Sequence, residues 1–242
     1  MKTWVSYLSE KSSISTKTAI VASPGLRSVG KIAVNYLIDE LKPILFARLF
    51  SHHFPLIYAT MPTYLPSPDS PGDVGADLTE DADIPSIDFF YEGKNRLIFV
   101  RGYQANFDGQ YEAASQTIET LKEAGVDTVF VLAGHGLGGK GVDVAATSAD
   151  LLDQMKRLGL SGGYAGPFLG FSGLAVAMSV LRGIHAVCLF SRTTPNLEEP
   201  ESPDPEAART LLDKLSEILK ISLDTSKLRR SSERSTPTVR YA

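Results

Sequence analysis

Hydrophobic residues follow two patterns along this chain: short continuous runs, and stripes with the 3.6-residue spacing of a helix. The run at residues 18–22 predicts a buried strand, and the stripe that begins near Ser28 predicts an amphipathic helix. Ser28 is expected to cap the first turn of this helix, and Pro43 marks its end because proline cannot continue a helix. A strand that leads through a tight turn into a helix is the opening unit of an α/β sheet.

The same two patterns alternate over the rest of the chain. Apolar runs predict further strands at residues 44–50, 56–61, 86–91, 97–101, 128–133, 142–147 and 186–190. Helical stripes predict helices at residues 109–124, after Ser148, at 174–181, and from Pro205 onward with Asp204 as its cap. The turn at Gly93-Lys94-Asn95 makes the strands on either side of it a hairpin. The elements together predict a three-layer α/β fold with a mostly parallel sheet, helices on both faces and an inserted hairpin.

One predicted helix differs from the others in having no polar side. Residues 174–181 are apolar almost throughout, so this helix is expected to be fully buried. Ser172 stands just before it and is expected to be its cap.

Two segments lack the composition of folded elements. Residues 62–85 hold five prolines and six acids with no Lys or Arg, which predicts a long, mobile acidic loop. Residues 226–242 are rich in Ser, Thr and Arg without periodicity, which predicts a disordered tail. We therefore expect a single α/β domain over residues 1–225 followed by a C-terminal tail at 226–242.

Composition excludes several classes of protein. Hydrophobic residues at 43% and charged residues at 21% are ordinary for a soluble globular chain, and the net charge of -4 argues against a nucleic-acid partner. One cysteine, Cys188, lies in an apolar run and is expected to be buried. No apolar run reaches membrane-spanning length, so we expect a soluble cytoplasmic protein without a membrane partner.

A first candidate ligand site lies in the turn after residues 18–22. Gly25, Gly30 and Lys31 have the spacing of a phosphate-binding loop between a strand and a helix. That motif needs Ser or Thr next, to hold magnesium, and this chain has Ile32. A structural turn that allows close helix–sheet packing is the favoured interpretation.

A second candidate follows the predicted strand at 128–133. Gly134, Gly136 and Gly139 match the glycine spacing of a dinucleotide-binding turn. That turn must open a helix, whereas residues 142–147 read as a strand, so NAD binding is not expected. A ligand-contacting glycine loop remains open, with His135 and Lys140 as its polar members.

Catalytic patterns are weak elsewhere. Ser172 in Gly170-Phe171-Ser172-Gly173 resembles the nucleophile elbow of hydrolases, but the second glycine that the motif requires is absent. The four histidines show no metal-ligand spacing, and no pair of carboxylates stands out for acid–base chemistry. We therefore expect no enzyme activity, no cofactor and no metal.

The C-terminal residues form a compact candidate docking element. Val239, Arg240, Tyr241 and Ala242 follow a basic stretch, and a tyrosine beside a free carboxylate suits a pocket that offers a lysine and an apolar wall.

Longer stretches of the chain resemble one family. Residues 20–41 (IVASPGLRSVGKIAVNYLIDEL), Phe54-Pro55, residues 166–193 (GPFLGFSGLAVAMSVLRGIHAVCLFSRT) and the helix at 204–224 are similar to the proteasome assembly chaperone 2 family and its archaeal homologues. The resemblance implies a three-layer α/β fold, self-association into homo-oligomers and no established catalytic activity.

The resemblance also implies a mode of action. Similar archaeal proteins are ATP-independent factors that contact the α-subunit ring of the 20S proteasome through a C-terminal hydrophobic-Tyr-any motif. Tyr241 matches the tyrosine and Ala242 the last residue, while Arg240 stands at the hydrophobic position and Val239 precedes it. The leading hypothesis is a non-enzymatic, homo-oligomeric adaptor that docks on the proteasome α subunits through this tail.

Two alternatives remain open at this stage. The loops at 23–30 and 134–141 both follow strands, where open α/β sheets bind ligands, so a nucleoside- or phosphate-binding enzyme is one. An oligomeric scaffold that uses the acidic loop as its contact surface is the other.

Overall fold

The central strands of the fold run parallel, and antiparallel strands flank them on both sides. A computed structural model describes residues 3–9, 14–54, 84–103, 105–162, 170–194 and 202–228 of the chain. Over these residues nine strands form one sheet in the order β1-β3-β4-β5-β2-β6-β9-β7-β8. The strands are β1 (Thr3–Tyr7), β2 (Thr18–Ala22), β3 (Ile44–Ser51), β4 (Ile87–Glu92), β5 (Leu97–Arg101), β6 (Thr128–His135), β7 (Val142–Ala146), β8 (Ser161–Gly162) and β9 (His185–Arg192).

Pairing divides the sheet into a parallel centre and two mixed flanks. β2 pairs in parallel with β5 and β6, and β6 pairs in parallel with β9. On one side β1, β3, β4 and β5 pair antiparallel, and on the other side β7 runs antiparallel to β9. The hairpin predicted around Gly93-Lys94-Asn95 is confirmed as β4 and β5.

Helices cover both faces of the sheet, which confirms the predicted three-layer α/β class. They are α1 (Val29–Leu41), α2 (Gln110–Glu123), α3 (Ala149–Arg157), α4 (Gly170–Leu181) and α5 (Pro205–Leu219). α1, α3 and α5 pack on one face with Ile20, Phe99 and Leu189 in the shared core. α2 and α4 pack on the other face, where the core includes Val21, Ile98 and Cys188. Alternate residues of the buried strands therefore point into two separate cores, one on each face of the sheet, as the two-residue period of a strand requires.

Several local signals act as predicted. The Asp204 carboxylate accepts a hydrogen bond from the Ala207 amide at 2.9 Å and Pro205 opens α5. The Ser148 hydroxyl accepts from the Leu151 amide at the start of α3. Gly125, just after the predicted helix at 109–124, has φ of +85°, a conformation that glycine adopts without strain.

Three local predictions are wrong. Ser28 makes no capping hydrogen bond with its side chain, because residues 26–28 form a 3-10 turn and Ser28 has a left-handed backbone (φ 53°) rather than the extended one that caps use. Ser172 lies inside α4, which begins at Gly170. α4 is not fully buried, since Val180 is 55% and Leu181 is 72% exposed.

Some predictions lie outside the described residues. These are the strand at 56–61, nearly all of the acidic loop at 62–85, and the tail residues from 229 onward.

Candidate functional site

The two predicted glycine loops meet at one edge of the sheet. β2, β5, β6 and β9 all end there, and β2 and β6 are neighbours with Ala22 opposite Leu132. The turn after β2 and the loop after β6 therefore lie side by side, at the carboxyl edge where open α/β sheets bind ligands.

Two of the predicted glycines are used in packing at this edge. A Cβ added to Gly30 would lie 2.3 Å from the Leu132 carbonyl oxygen, so the first turn of α1 touches the backbone of β6. A Cβ on Gly134 would lie 2.8 Å from the Leu26 carbonyl oxygen. Because these two glycines have no side chain, the start of α1 can pack closely on the end of β6, as the structural interpretation of Gly30 predicted.

The remaining predicted loop residues are spread around this contact. Gly134 and His135 belong to the end of β6 rather than to a loop. Gly25 and Lys31 are exposed, and so are Gly136 and Gly139, of which Gly139 has φ of +76° and no atom within 4 Å of an added Cβ. Whether this edge binds a ligand stays a prediction.

Arg27 organises the polar contacts beside the glycines. Its guanidinium donates to the carbonyl oxygens of Ser202 (3.0 Å), Thr194 (2.9 Å) and Pro203 (3.3 Å) and pairs with Asp204 at 3.2 Å. Arg27 itself has φ of 47°, an uncommon conformation for a residue with a Cβ. The side chain thus ties the turn after β2 to the start of α5 and to the end of β9.

A second polar cluster joins β6, β7 and β9. Arg192 donates two hydrogen bonds to the carboxylate of Asp143, at 2.9 and 2.7 Å, and Nδ1 of His135 lies 3.5 Å from the same carboxylate. The hydrogen bonds from Arg192 hold the pKa of Asp143 below its usual range, and burial of the carboxylate opposes that shift. The positive charge of Arg192 and the negative charge of Asp143 therefore neutralise each other within the protein.

Reactive groups are scarce over the described part of the chain. Cys188 is 1% exposed, and burial raises the pKa of its thiol well above the usual value, which keeps it protonated. Lys140, the other polar member of the predicted loop, forms an exposed ion pair with Glu206 at 2.7 Å. Within the described ranges no group of three or more His, Cys, Asp or Glu residues could hold a metal ion.

The outer face of α4 is a second candidate surface, which sequence reasoning missed. Its sheet-facing residues Phe171, Ala175 and Met178 are buried, while Ala177, Val180 and Leu181 face outward. Residues 170–181 contain no charged side chain, so this exposed face is entirely uncharged.

The last described residues anchor the end of the chain on α1 and α5. The Tyr36 hydroxyl donates to the Asp224 carbonyl oxygen, and Lys227 pairs with Glu40 at 2.9 Å. The Thr225 hydroxyl bonds the Asp213 carboxylate, and Leu228 is only 6% exposed. Any segment after Leu228 therefore starts from a defined place, although Val239, Arg240, Tyr241 and Ala242 lie outside the described residues.

The missed residues carried only weak sequence signals. Arg27 and Arg192 each stand alone beside a predicted element, and Asp143 interrupts the apolar run of β7. Such an interruption in a buried strand indicates a buried charge that needs a partner, but it does not identify the partner.

No helix within the described ranges has both the length and the apolar character needed to cross a bilayer.

Comparison with solved structures shows a shared fold. PbaB from Pyrococcus furiosus, described as an archaeal proteasome activator, superimposes with a TM-score of 0.77 and 23% identity over 97% of this chain and 96% of that chain. PbaA from the same organism, described as an archaeal homolog of proteasome-assembly chaperone, has a TM-score of 0.76 and 22% identity over 97% of this chain and 88% of that chain.

Sequence comparison identifies the family. An uncharacterized protein from Methanocaldococcus jannaschii is 28% identical over 219 residues, which cover 87% of this chain and 76% of that protein. The model of the PAC2 family matches residues 19–237. With this match over most of its length, and with the fold of the two Pyrococcus proteins, the chain belongs to the PAC2 family.

Proposed function

We propose that this protein is a non-enzymatic, ATP-independent adaptor or assembly chaperone of the proteasome in the cytoplasm. In this proposal it self-associates and docks on the α subunits of the 20S particle through Val239, Arg240, Tyr241 and Ala242.

The family match carries the proposal. Residues 19–237 match the PAC2 family, and two proteins of the same fold are described as a proteasome activator and as a homolog of a proteasome-assembly chaperone. Both descriptions name the proteasome, which makes it the partner to test first.

The carboxyl edge of the sheet supports a role without catalysis. At Gly30 and Gly134 the backbone of the turn and first residues of α1 packs directly on the backbone of β6, whereas a phosphate-binding loop would leave space for a ligand there. Two arginines at this edge, Arg27 and Arg192, are each paired with a carboxylate of the protein itself. A phosphate that bound to either guanidinium would have to compete with that carboxylate.

The anchored end of the described chain supports a role for the residues after it. Leu228 is buried against α1 and α5, and residues 229–242 could span at most about 50 Å if fully extended. In a homo-oligomer several such segments would act together, so a weak single contact could still give firm binding.

Binding to purified 20S proteasome tests the docking proposal. The 242-residue chain should bind in the absence of nucleotide, and Tyr241→Ala or removal of residues 239–242 should weaken binding by about tenfold or more, equivalent to about 1.4 kcal/mol. Arg240→Leu places an apolar residue at the hydrophobic position of the motif, directly before the tyrosine, so it should strengthen binding.

Thr238→Ala is the matched control, because it changes the same segment outside the proposed motif and should leave binding unchanged. Equal binding by the 242-residue chain and the variant without residues 239–242 would remove the tail from the mechanism. A requirement for ATP would contradict the proposed ATP independence.

A further inference from the structure

The described chain ends at a fixed point on the α1/α5 side of the domain. Leu228 is only 6% exposed and belongs to the core that α1 and α5 share with the sheet. Lys227, directly before it, is held by Glu40 in the last turn of α1, with 2.9 Å between the ammonium nitrogen and the carboxylate oxygen. Residues 229–242 therefore begin beside the end of α1.

That end of α1 lies at the amino edge of the sheet, where β2, β5, β6 and β9 begin. α1 starts after β2 has ended at the carboxyl edge, and it is followed at once by β3, which begins at Ile44. Because β3 and β5 both pair antiparallel with β4, they run in the same direction, and β3 also begins at the amino edge. α1 therefore crosses the sheet from the carboxyl edge to the amino edge.

α5 crosses the sheet in the same direction as α1. Its start is tied to Arg27 through Asp204 at the carboxyl edge, and its 15 residues span about 22 Å. The ends of α1 and α5 thus lie together, with Leu228 between the two helices. The proposed docking segment leaves the domain near the edge opposite to the two glycine loops.

The length of that segment limits which edge of the domain can meet a bound partner. Residues 229–238 link Leu228 to the proposed motif, and as a flexible chain they would span about 17 Å on average and about 33 Å at full extension. The eight residues of β6 alone cover about 26 Å between the two edges. The motif could enter a pocket beyond the carboxyl edge only with the link stretched almost to its limit, which is entropically unfavourable.

We infer that the amino edge of the sheet, together with the ends of α1 and α5, faces the proteasome α subunits when the C-terminal segment is docked. The carboxyl edge with the glycine loops at 23–30 and 134–141 points away from them and stays accessible in the complex. This orientation rests on the docking in the proposed function and adds to it the side of the domain that the partner meets.

Attachment of a bulky polymer at one edge or the other tests the orientation. Lys42→Cys and Lys31→Cys place a thiol just after the end and in the first turn of the same helix, α1, and both positions are exposed. Native Cys188 is 1% exposed and does not react. After labelling with a polyethylene glycol maleimide, binding to purified 20S proteasome should fall about tenfold or more for residue 42 and less than about twofold for residue 31.

Two controls accompany the labelling. The unlabelled cysteine variants should bind like the wild type, which shows that the substitutions themselves are harmless. Light scattering should give the same number of chains per particle for the two labelled proteins, so that a change of oligomer does not explain the difference in binding.

A longer link gives a readout that simple damage to the protein would not change. A Gly-Ser insertion after Leu228, as long as residues 229–242, raises the mean span of the link to about 27 Å. The domain can then stay farther from the particle, so the insertion should restore most of the binding that the polymer at residue 42 removes.

The outcomes separate this inference from the docking proposal. A wild-type protein that does not bind the 20S particle, or that binds equally well without residues 239–242, would overturn the docking and the orientation together. Binding that requires residues 239–242 but is reduced no more by the polymer at residue 42 than at residue 31 would overturn the orientation alone.

Discussion

α5 and α4 are both outer helices of the same three-layer domain, yet they expose opposite kinds of residue to solvent. α5 buries Leu211, Leu212 and Leu215 and exposes the acids Glu206, Asp213 and Glu217, so one side of the helix faces the sheet and the other faces water. α4 buries Phe171, Ala175 and Met178 but also presents Val180 and Leu181 outward. A helix that is apolar on both sides has two surfaces to cover, and the domain itself covers one of them.

The contrast extends to the layers that hold the two helices. The α1/α5 layer is tied to the sheet by the Gly30 and Gly134 contacts, by Arg27 and by the residues that anchor the chain at Leu228. The outer face of α4 makes no comparable tie among the described residues. We therefore expect substitutions at the first set of contacts to reduce the free energy of unfolding, and substitutions on the outer face of α4 to change it little.

The largest effect is expected from Gly30→Ala. In an ordinary helix interior this change is favourable by about 1 kcal/mol, but here the new methyl group would meet the Leu132 carbonyl oxygen at 2.3 Å. The helix must move away from β6, so the free energy of unfolding should fall by about 3 kcal/mol in urea denaturation.

Gly25→Ala is the matched control for that prediction. The nearest atom to a Cβ on Gly25 is 4.0 Å away and its φ of -161° suits any residue, so stability should change by less than about 0.5 kcal/mol. A Gly30→Ala protein as stable as the wild type would show that α1 does not pack closely on β6.

A smaller, pH-dependent effect is expected from Asp143→Asn. Because Arg192 lowers the pKa of Asp143 in the folded protein, the pair stabilises the fold above the usual carboxyl pKa of about 3.9, and that contribution is lost as the pH falls through the lowered folded value. The variant should be less stable by about 2 kcal/mol at pH 7, and the difference should shrink in acid.

Urea unfolding at pH 7 and near pH 3 measures this difference. Asp127→Asn is the control, since its exposed ion pair with Lys17 at 3.6 Å should contribute less than about 1 kcal/mol at either pH. A deficit for Asp143→Asn that is equal at both pH values would mean that the charge of Asp143 is not its source.

The smallest effect on stability is expected on the outer face of α4. Leu181→Ser should change the free energy of unfolding by no more than about 0.5 kcal/mol, when it is measured at a protein concentration low enough to keep the chain monomeric. Met178→Ala, on the inner side of the same helix and 3% exposed, should cost about 3 kcal/mol. Similar losses for the two variants would show that both sides of α4 are packed inside the domain.

Much of the fold followed from short-range patterns. The strand before Pro24-Gly25, the hairpin around Lys94 and the Asp204–Pro205 start of α5 were each predicted from residues within a few positions of one another. Their signals are local because turn and cap residues bond backbone groups only a few positions away, and a strand is marked by an apolar run of adjacent residues.

The candidate sites depended on contacts between distant parts of the chain. Arg27 and Asp204 are 177 positions apart, and Arg192 reaches Asp143 across 49 positions, so no spacing in the sequence could have paired them. The left-handed backbone at Arg27 and Ser28 also depends on distant contacts. These residues belong to a 3-10 turn that is held in place by hydrogen bonds to the segments beside α5 and β9.

Periodicity and composition were sufficient to predict an α/β domain and the ends of most helices, and short stretches of sequence were sufficient for the family resemblance, because each of these depends on residues close together in the chain. The burial of a helix could not be predicted in this way. Whether an apolar helix lies inside a domain or on its surface depends on how many layers the chain can place around it, and α4 has the sheet on one side only. That geometry exists only once the nine described strands are assembled, and it leaves Leu181 exposed.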